Sequence, residues 1–190
     1  MSFFINENTS ISDSLLQVIA YLPTKSLNKI IDPVFYHRLR DEDFMRIAVF
    51  LAQKSYDEEG CPIGGLIIDK DTRQILGKGH NTLVQENNPY NHGETAAIRD
   101  AGRIDFSQTI LFTTLSPCDV CATLIYLRQF HQVIVGNATS VSGNEGFLMQ
   151  KGIEVTLLED QLGILLYNKY RQEKPNQDLE DWKGLASVSK

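Results

Sequence analysis

A chain of 190 residues, 42% hydrophobic and 22% charged, has the makeup of one ordinary globular domain with enough length for a substantial core. Its formal net charge of −6 argues against the broad phosphate-binding surface of a nucleic-acid binder, which needs clustered Lys and Arg. Small substrates are favoured over polynucleotides. Met1 to Glu7 lack the basic flank and long apolar core of a signal peptide, and no run of the chain suffices to span a membrane, so the expected location is the cytoplasm. Three cysteines, two of them at a metal-type spacing, fit a reducing compartment better than a disulfide framework.

Residues 1–40 read as a helical N-terminal extension. Ser12 to Ser14 can cap an amphipathic helix carrying Leu15, Leu16, Val18, Ile19 and Leu22, stopped by Pro23. Ser26 to Ile31 forms a further turn or two before Pro33. These apolar faces are expected to pack on the main domain or on a partner subunit rather than to enter catalysis. From Asp41 a clear helix begins, with Phe44, Ile47, Ala48, Leu51, Ala52 and Ser55 on one face, ending at Gly60. Leu66 to Asp69 and Gln74 to Gly79 make a hairpin around Asp71 to Arg73. An Asn- and Pro-containing loop then delivers His92 and Glu94 to the first turn of a helix running toward Gly102.

Ile110 to Leu115 reads as a strand, Pro117-Cys118 opens a helix, and Gln132 to Gly136 is another strand, which implies a parallel crossover. A short helix from Gly146 to Lys151, a strand from Ile153 to Leu158 and a helix from about Asp160 to Arg171 follow. The tail from Pro175 to Lys190 is polar except around Leu179 and Trp182. The fold class is α/β, a three-layer α/β/α sandwich with a mixed five-stranded central sheet whose first pair is antiparallel.

Two segments carry the chemistry. In Ser116-Pro117-Cys118-Asp119-Val120-Cys121, a C-x-x-C pair at a helix start puts both thiols on one face, where both sulfurs can reach one ion. The helix N-terminus favours thiolate, the form that binds metal. Two ligands do not complete a tetrahedral Zn²⁺ site; His92 is the candidate third, and a fourth position open to water makes such a site catalytic. Glu94, two residues on, is placed to handle protons instead of chelating. Cys61 could in principle complete a structural Cys₃His site, but it reads better as a small buried hydrophobe. The combination H-x-E followed by P-C-x-x-C is the signature of zinc-dependent nucleobase deaminases, with the Glu as general acid/base.

Gly60-Cys61-Pro62-Ile63-Gly64-Gly65, Gly79-His80-Asn81, His92-Gly93-Glu94, Ala101-Gly102-Arg103 and the stretch from Leu111 to Cys121 together resemble fungal-type cytosine deaminase, within the cytidine deaminase-like superfamily. The similarity runs from about Asp41 to Asp181, so 41–190 is identified as a zinc-dependent deaminase domain and the first 40 residues look foreign to the family. The resemblance implies a homodimeric enzyme of pyrimidine salvage that hydrolyses a free aminopyrimidine base to the oxo base and ammonia, with one Zn²⁺ per chain. It implies His92, Cys118 and Cys121 as ligands and Glu94 as proton shuttle. Asn81 and the backbone at Gly93 would bond the base, the Ser116 carbonyl would face the departing amine, and Asp181 would match a tail acid that touches substrate.

The chain also departs from the family. Thr139-Ser140-Val141 stands where the family carries a lid phenylalanine, and the tail aromatic has no counterpart unless Trp182 has shifted to replace it. A related base such as isocytosine therefore stands beside cytosine as a candidate substrate. His-Gly-Glu is nearer to cytosine deaminases than the His-Ala-Glu of tRNA adenosine deaminases. The rival readings are a tRNA adenosine or purine-base (guanine) deaminase on the same zinc core, and a non-catalytic zinc-binding interaction protein.

Overall fold

Three strands that are apolar at nearly every position form the centre of the molecule, because each is covered on both faces. The computed structural model describes residues 5–6, 9–141 and 143–184. Most of Met1 to Glu7 and the tail beyond Gly184 lie outside the described residues. The strands are β1 (Gly64–Asp69), β2 (Ile75–His80), β3 (Thr109–Thr113), β4 (Gln132–Val135) and β5 (Glu154–Leu157), in the order β2-β1-β3-β4-β5. β1 pairs antiparallel with β2 and β3, whereas β3–β4 and β4–β5 are parallel. The expected mixed five-stranded sheet is thus present.

The helices are α1 (Asp13–Tyr21), α2 (Thr24–Ile30), α3 (Pro33–Arg38), α4 (Asp41–Asp57), α5 (Gly93–Ala101), α6 (Asp119–Arg128), α7 (Glu145–Gln150), α8 (Gln161–Glu173) and α9 (Pro175–Lys183). Alternation along the strands sorts the core into two layers. Leu66, Ile68, Ile110, Phe112 and Ile134 face α4 and the N-terminal helices. Ile67, Leu111, Val133 and Val135 face α5, α6 and α7 through Ala97, Ala122, Ile125 and Leu148. This is the three-layer α/β/α sandwich.

The N-terminal helices are not a loose appendage. Leu16, Ile19, Leu27 and Phe35 are buried in the same core as Phe44, Ile47 and Leu51 of α4, each such side chain contributing roughly 1.5–3 kcal/mol by leaving water. They lie along β2, the edge of the sheet, where Asn28 Nδ2 donates to Ile75 O at 3.1 Å and Lys78 Nζ to Ala20 O at 3.0 Å. An uncovered sheet edge is a site for unwanted pairing, and a cover of this kind removes it. Among the described residues no helix is long and apolar enough to cross a membrane.

Two helices differ from the sequence-based expectation. Asp32 caps α3 by accepting from the Val34 N–H, with Pro33 in the first turn, a start signal beyond the turn expected at Ser26 to Ile31. The polar tail contains α9, which buries no residue completely and so offers no apolar stripe to read.

Candidate active site

The site is built where two helix N-termini meet the ends of β1 and β3. His92 is the N-cap of α5, its backbone extended; its N–H donates to Thr95 Oγ1 at 2.9 Å, which also lies 2.5 Å from Tyr90 O. That hydroxyl ties the loop before the helix to its first turn. Cys118 is the N-cap of α6, and Cys121 follows in the first turn. Asn144 Nδ2 donates to Pro117 O and to Asp119 Oδ1, both at 3.0 Å, which holds the approach to α6 in place.

Close packing brings the two starts together. A methyl group on Gly65 would sit 2.5 Å from Gly93 O, and one on Gly93 would sit 2.9 Å from Ile63 O. Neither position has room for a side chain, so α5 rests directly on the backbone of β1.

His92 Nδ1 lies 3.4 Å from Cys118 Sγ and 3.6 Å from Cys121 Sγ, and the three donor atoms fall within 4.8 Å of one another. Among the described residues this is the one His/Cys/Asp/Glu cluster with the spacing to hold a metal. The sulfurs sit at positive helix ends. A hydrogen bond with Cys121 leads the effects that bring the Cys118 thiol down to about 4, against burial and with help from His92. Burial works against charge on His92, but the Cys118 thiolate and the Asp181 and Glu94 carboxylates outweigh it and raise the imidazole to about 9. The hydrogen bond to Cys118, then burial, raises the Cys121 thiol, so its proton must leave when metal binds; one nitrogen and two sulfurs are the donor set of a catalytic zinc, with a position left for water. Cys61 is buried with its thiol against Asp181 and is outside the metal cluster.

Glu94 is buried, with Thr113 Oγ1 3.2 Å from its Oε1. Burial first, then the Cys118 charge, pushes its carboxyl up to about 7, the range in which one group both takes and gives protons at neutral pH. Asn81 is fully buried; its Oδ1 accepts from Leu83 N–H at 3.0 Å and its Nδ2 donates to Asp181. Asp181 enters from α9, its Oδ1 3.8 Å from His92 Nε2. Burial raises its carboxyl, opposed by His92, Cys61 and Asn81. Trp182 Nε1 donates to Tyr167 OH at 3.0 Å, and that hydroxyl donates to Asp178, so α9 is fastened to α8.

A small inner cavity of about 10 Å³ lies between Ile63, His92, Glu94, Ser116, Cys118 and Trp182. It gives onto a mouth of about 530 Å³ that shares His92, Cys118, Asp181 and Trp182 and adds Leu83, Asn88 and Val120. Of the residues singled out in the sequence, His92, Cys118, Cys121, Glu94, Ser116 and Asp181 converge here, with Asn81 reaching in through Asp181. Gly93 backs onto β1. The Ser116 hydroxyl is turned to Glu145. The sequence reading missed Thr113 and Glu145; a threonine at the end of an apolar strand was the one available signal for the first. Thr139 to Val141 line neither cavity, and Trp182 does.

The geometry has counterparts in known proteins. A family profile described as the zinc-binding region of cytidine and deoxycytidylate deaminases matches residues 39–137. Cytosine deaminase of Candida albicans is 39% identical over 145 residues, covering 75% of this chain and 93% of that protein. A tRNA-specific adenosine deaminase of Haemophilus influenzae is 28% identical over 151 residues, 70% of this chain and 87% of that one. The solved guanine deaminase of Nitrosomonas europaea superposes with a TM-score of 0.62 over 70% of this chain and 85% of its own, at 18% identity, a likeness of fold alone. With the profile spanning more than half its length and a relative at 39% identity, the chain belongs to the cytidine and deoxycytidylate deaminase zinc-binding family.

Proposed function

We propose that the chain is a zinc-dependent hydrolytic deaminase of a free aminopyrimidine base, cytosine first and isocytosine second, releasing the oxo base and ammonia. The observation that carries this reading is Glu94: a buried carboxyl raised to about 7 beside a His/Cys/Cys cluster. The similarity to a cytosine deaminase exceeds that to tRNA adenosine deaminases in both identity and coverage.

In this reading His92, Cys118 and Cys121 hold the zinc. When bound, zinc acts as a Lewis acid and lowers the pKa of water to about 7. Glu94 takes a proton from the water that attacks the amine-bearing carbon and passes it to the adjacent ring nitrogen. The same carboxyl then moves the remaining hydroxyl proton to the amine, which leaves as ammonia while the carbonyl forms. Thr113 Oγ1 steadies Glu94 between the transfers. Asp181, held by the Asn81 amide, presents an acceptor to the base, so Asn81 acts on the base through it; the Gly93 backbone is a further contact, and the Ser116 carbonyl faces the departing amine.

A mouth whose described lining contains no Lys or Arg but does contain Asp119 and Glu180 supports a small neutral substrate over a phosphate-rich tRNA. Purified protein should release ammonia from cytosine or isocytosine and not from guanine; ammonia from guanine alone, or salt-sensitive retention of tRNA in a gel shift, would replace this reading with one of its rivals.

The division into an extension, 1–40, and a deaminase domain, 41–190, is part of the proposal and is supported by the profile match beginning at residue 39. So is a homodimer, supported by the exposed Val120 and Leu127 on α6 and Met149 on α7; light scattering that finds only monomer would remove it. A place in pyrimidine salvage follows from the substrate, and a cytoplasmic location is supported by three cysteines of which none is in a disulfide. Cell fractionation that put the chain outside the cytosol would overturn the latter.

A further inference from the structure

The N-terminal helices and the deaminase region leave a groove of about 910 Å³ between them, bounded by α1 and α2 on one side and by β2, the loop after it and α5 on the other. Four cationic side chains line it, Lys25 of α2, Lys54 of α4, Lys78 of β2 and Arg99 of α5, in a chain whose net charge is −6. Two carboxylates, Asp100 and Glu86, share the lining and are hydrogen-bonded to neutral donors, which leaves positive charge in excess. Asp100 Oδ2 accepts from the Lys78 backbone N–H at 3.0 Å and from the Thr24 hydroxyl at 2.5 Å. Glu86 accepts from the Asn91 amide at 2.6 Å. Glu58, outside the lining, pairs with Lys54 and lies 3.0 Å from His80 Nε2.

The cations are less fully matched. Lys78 Nζ donates to Ala20 O and Arg99 NH1 to Asn91 Oδ1, while an ammonium carries three N–H groups and a guanidinium five. Lys54 and Lys78 are both half-buried, and burial leads in weakening protonation of Lys78 and of His80; the Lys54 charge adds to it, and Asp100 and Glu58 respectively oppose it. Like charges drawn partly out of water are a standing cost that an anion set among them removes. On the same wall Thr82 Oγ1 is buried with no hydrogen-bond partner among the described residues. Tyr21, with Lys54 Nζ 5.4 Å from its ring centroid, stands at the rim.

We propose that this groove is a binding site for a small phosphate-bearing anion, held by Lys25, Lys54, Lys78 and Arg99. Four cations against two carboxylates around one space suit a phosphate, with several oxygens and up to two charges, better than a single carboxylate. The site belongs to the seam with the N-terminal helices and makes no use of the zinc donors, so it stands or falls separately from the proposed deamination.

Calorimetry on the full-length chain tests it, with inorganic phosphate and ribose 5-phosphate in separate arms and sodium chloride at matched ionic strength as control. The expected result is saturable binding near one equivalent per chain; a tighter fit for the ester identifies an organic phosphate as the ligand, and a tighter fit for phosphate identifies the free ion. The exposed pair Lys25→Glu and Arg99→Gln should together weaken binding by about tenfold or more, the scale of a lost charge-assisted contact. Lys78→Met, which keeps the aliphatic stem, should weaken it with the fold intact by circular dichroism. No heat beyond the chloride control at millimolar phosphate, or affinity unchanged in both variants, would overturn the proposal.

Discussion

Asn81 Nδ2 bridges both carboxylate oxygens of Asp181 at 3.1 Å each, joining the end of β2 to a helix 100 residues further along the chain. Both side chains are buried, and removing the amide leaves a carboxylate short of a donor, at a cost of about 1–3 kcal/mol. If that cost falls on substrate binding, Asn81→Ala should lower kcat/KM by about 10- to 100-fold while zinc content stays unchanged. Steady-state ammonia release with parallel metal analysis checks this; undiminished kcat/KM would separate the pair from the chemistry.

Glu94→Gln keeps the size and burial of the side chain but removes its ability to carry a proton. The expected variant binds about one zinc per chain and loses roughly two to four orders of magnitude in turnover, the usual contribution of a positioned acid/base. Near-normal turnover would take Glu94 out of the mechanism.

Metal removal should act on stability as well as on rate. A ligand bound only by the folded state stabilises it by about 2.7 kcal/mol at a hundredfold excess over its Kd. Dialysis against a chelator should therefore lower Tm by several degrees and abolish ammonia release, and added zinc should restore both. Cys118→Ser should resemble the stripped protein at ordinary zinc levels, since it replaces one of three protein ligands. A wild-type melting curve after verified zinc loss would contradict this.

The two glycines under the site should differ in their tolerance. Gly65→Ala places a methyl group 2.5 Å from a backbone oxygen, and Gly93→Ala places one at 2.9 Å. Forced overpacking of this kind costs about 1–3 kcal/mol, and Gly65→Ala should be the more destabilising. Urea midpoints for the two variants check the order.

Deleting residues 1–40 should not liberate a sound deaminase domain. The cut would uncover the Ile75 edge and the face of α4 that Leu16, Ile19 and Phe35 now cover, leaving an open strand and apolar surface together. Aggregation or insolubility is expected, read by size-exclusion chromatography; a monodisperse, zinc-loaded and active fragment would show that the helices are dispensable.

Much of this architecture was legible in the residues because its signals are local. H-x-E and P-C-x-x-C each sit within one helical turn, so their geometry is set by the turn itself, and the apolar runs of β1, β3 and β4 announce strands covered on both sides. What was not legible depends on long-range register. Thr113 reaches Glu94 because β3 lies beside β1 with Gly65 opposite Thr113, a pairing no local pattern records. The helix α9 was hidden because its residues are polar and its order comes from Trp182 meeting Tyr167 of α8. The carry-over of Asp181 came from resemblance alone, since nothing near Glu180 marks it.

The bare contact between Gly65 and Gly93 also divides the molecule by how freely it can change. The grip on the metal is cast from main chain against main chain, with no side chain between to trim or enlarge, so its dimensions are inherited from the sheet. The far wall, on α9, hangs from a few hydroxyl and indole bonds and can be rewritten residue by residue. Selection or engineering can therefore shift which ring is admitted while the hydrolytic apparatus stays as it is, and libraries aimed at new substrates belong on that short helix rather than on the loops around His92.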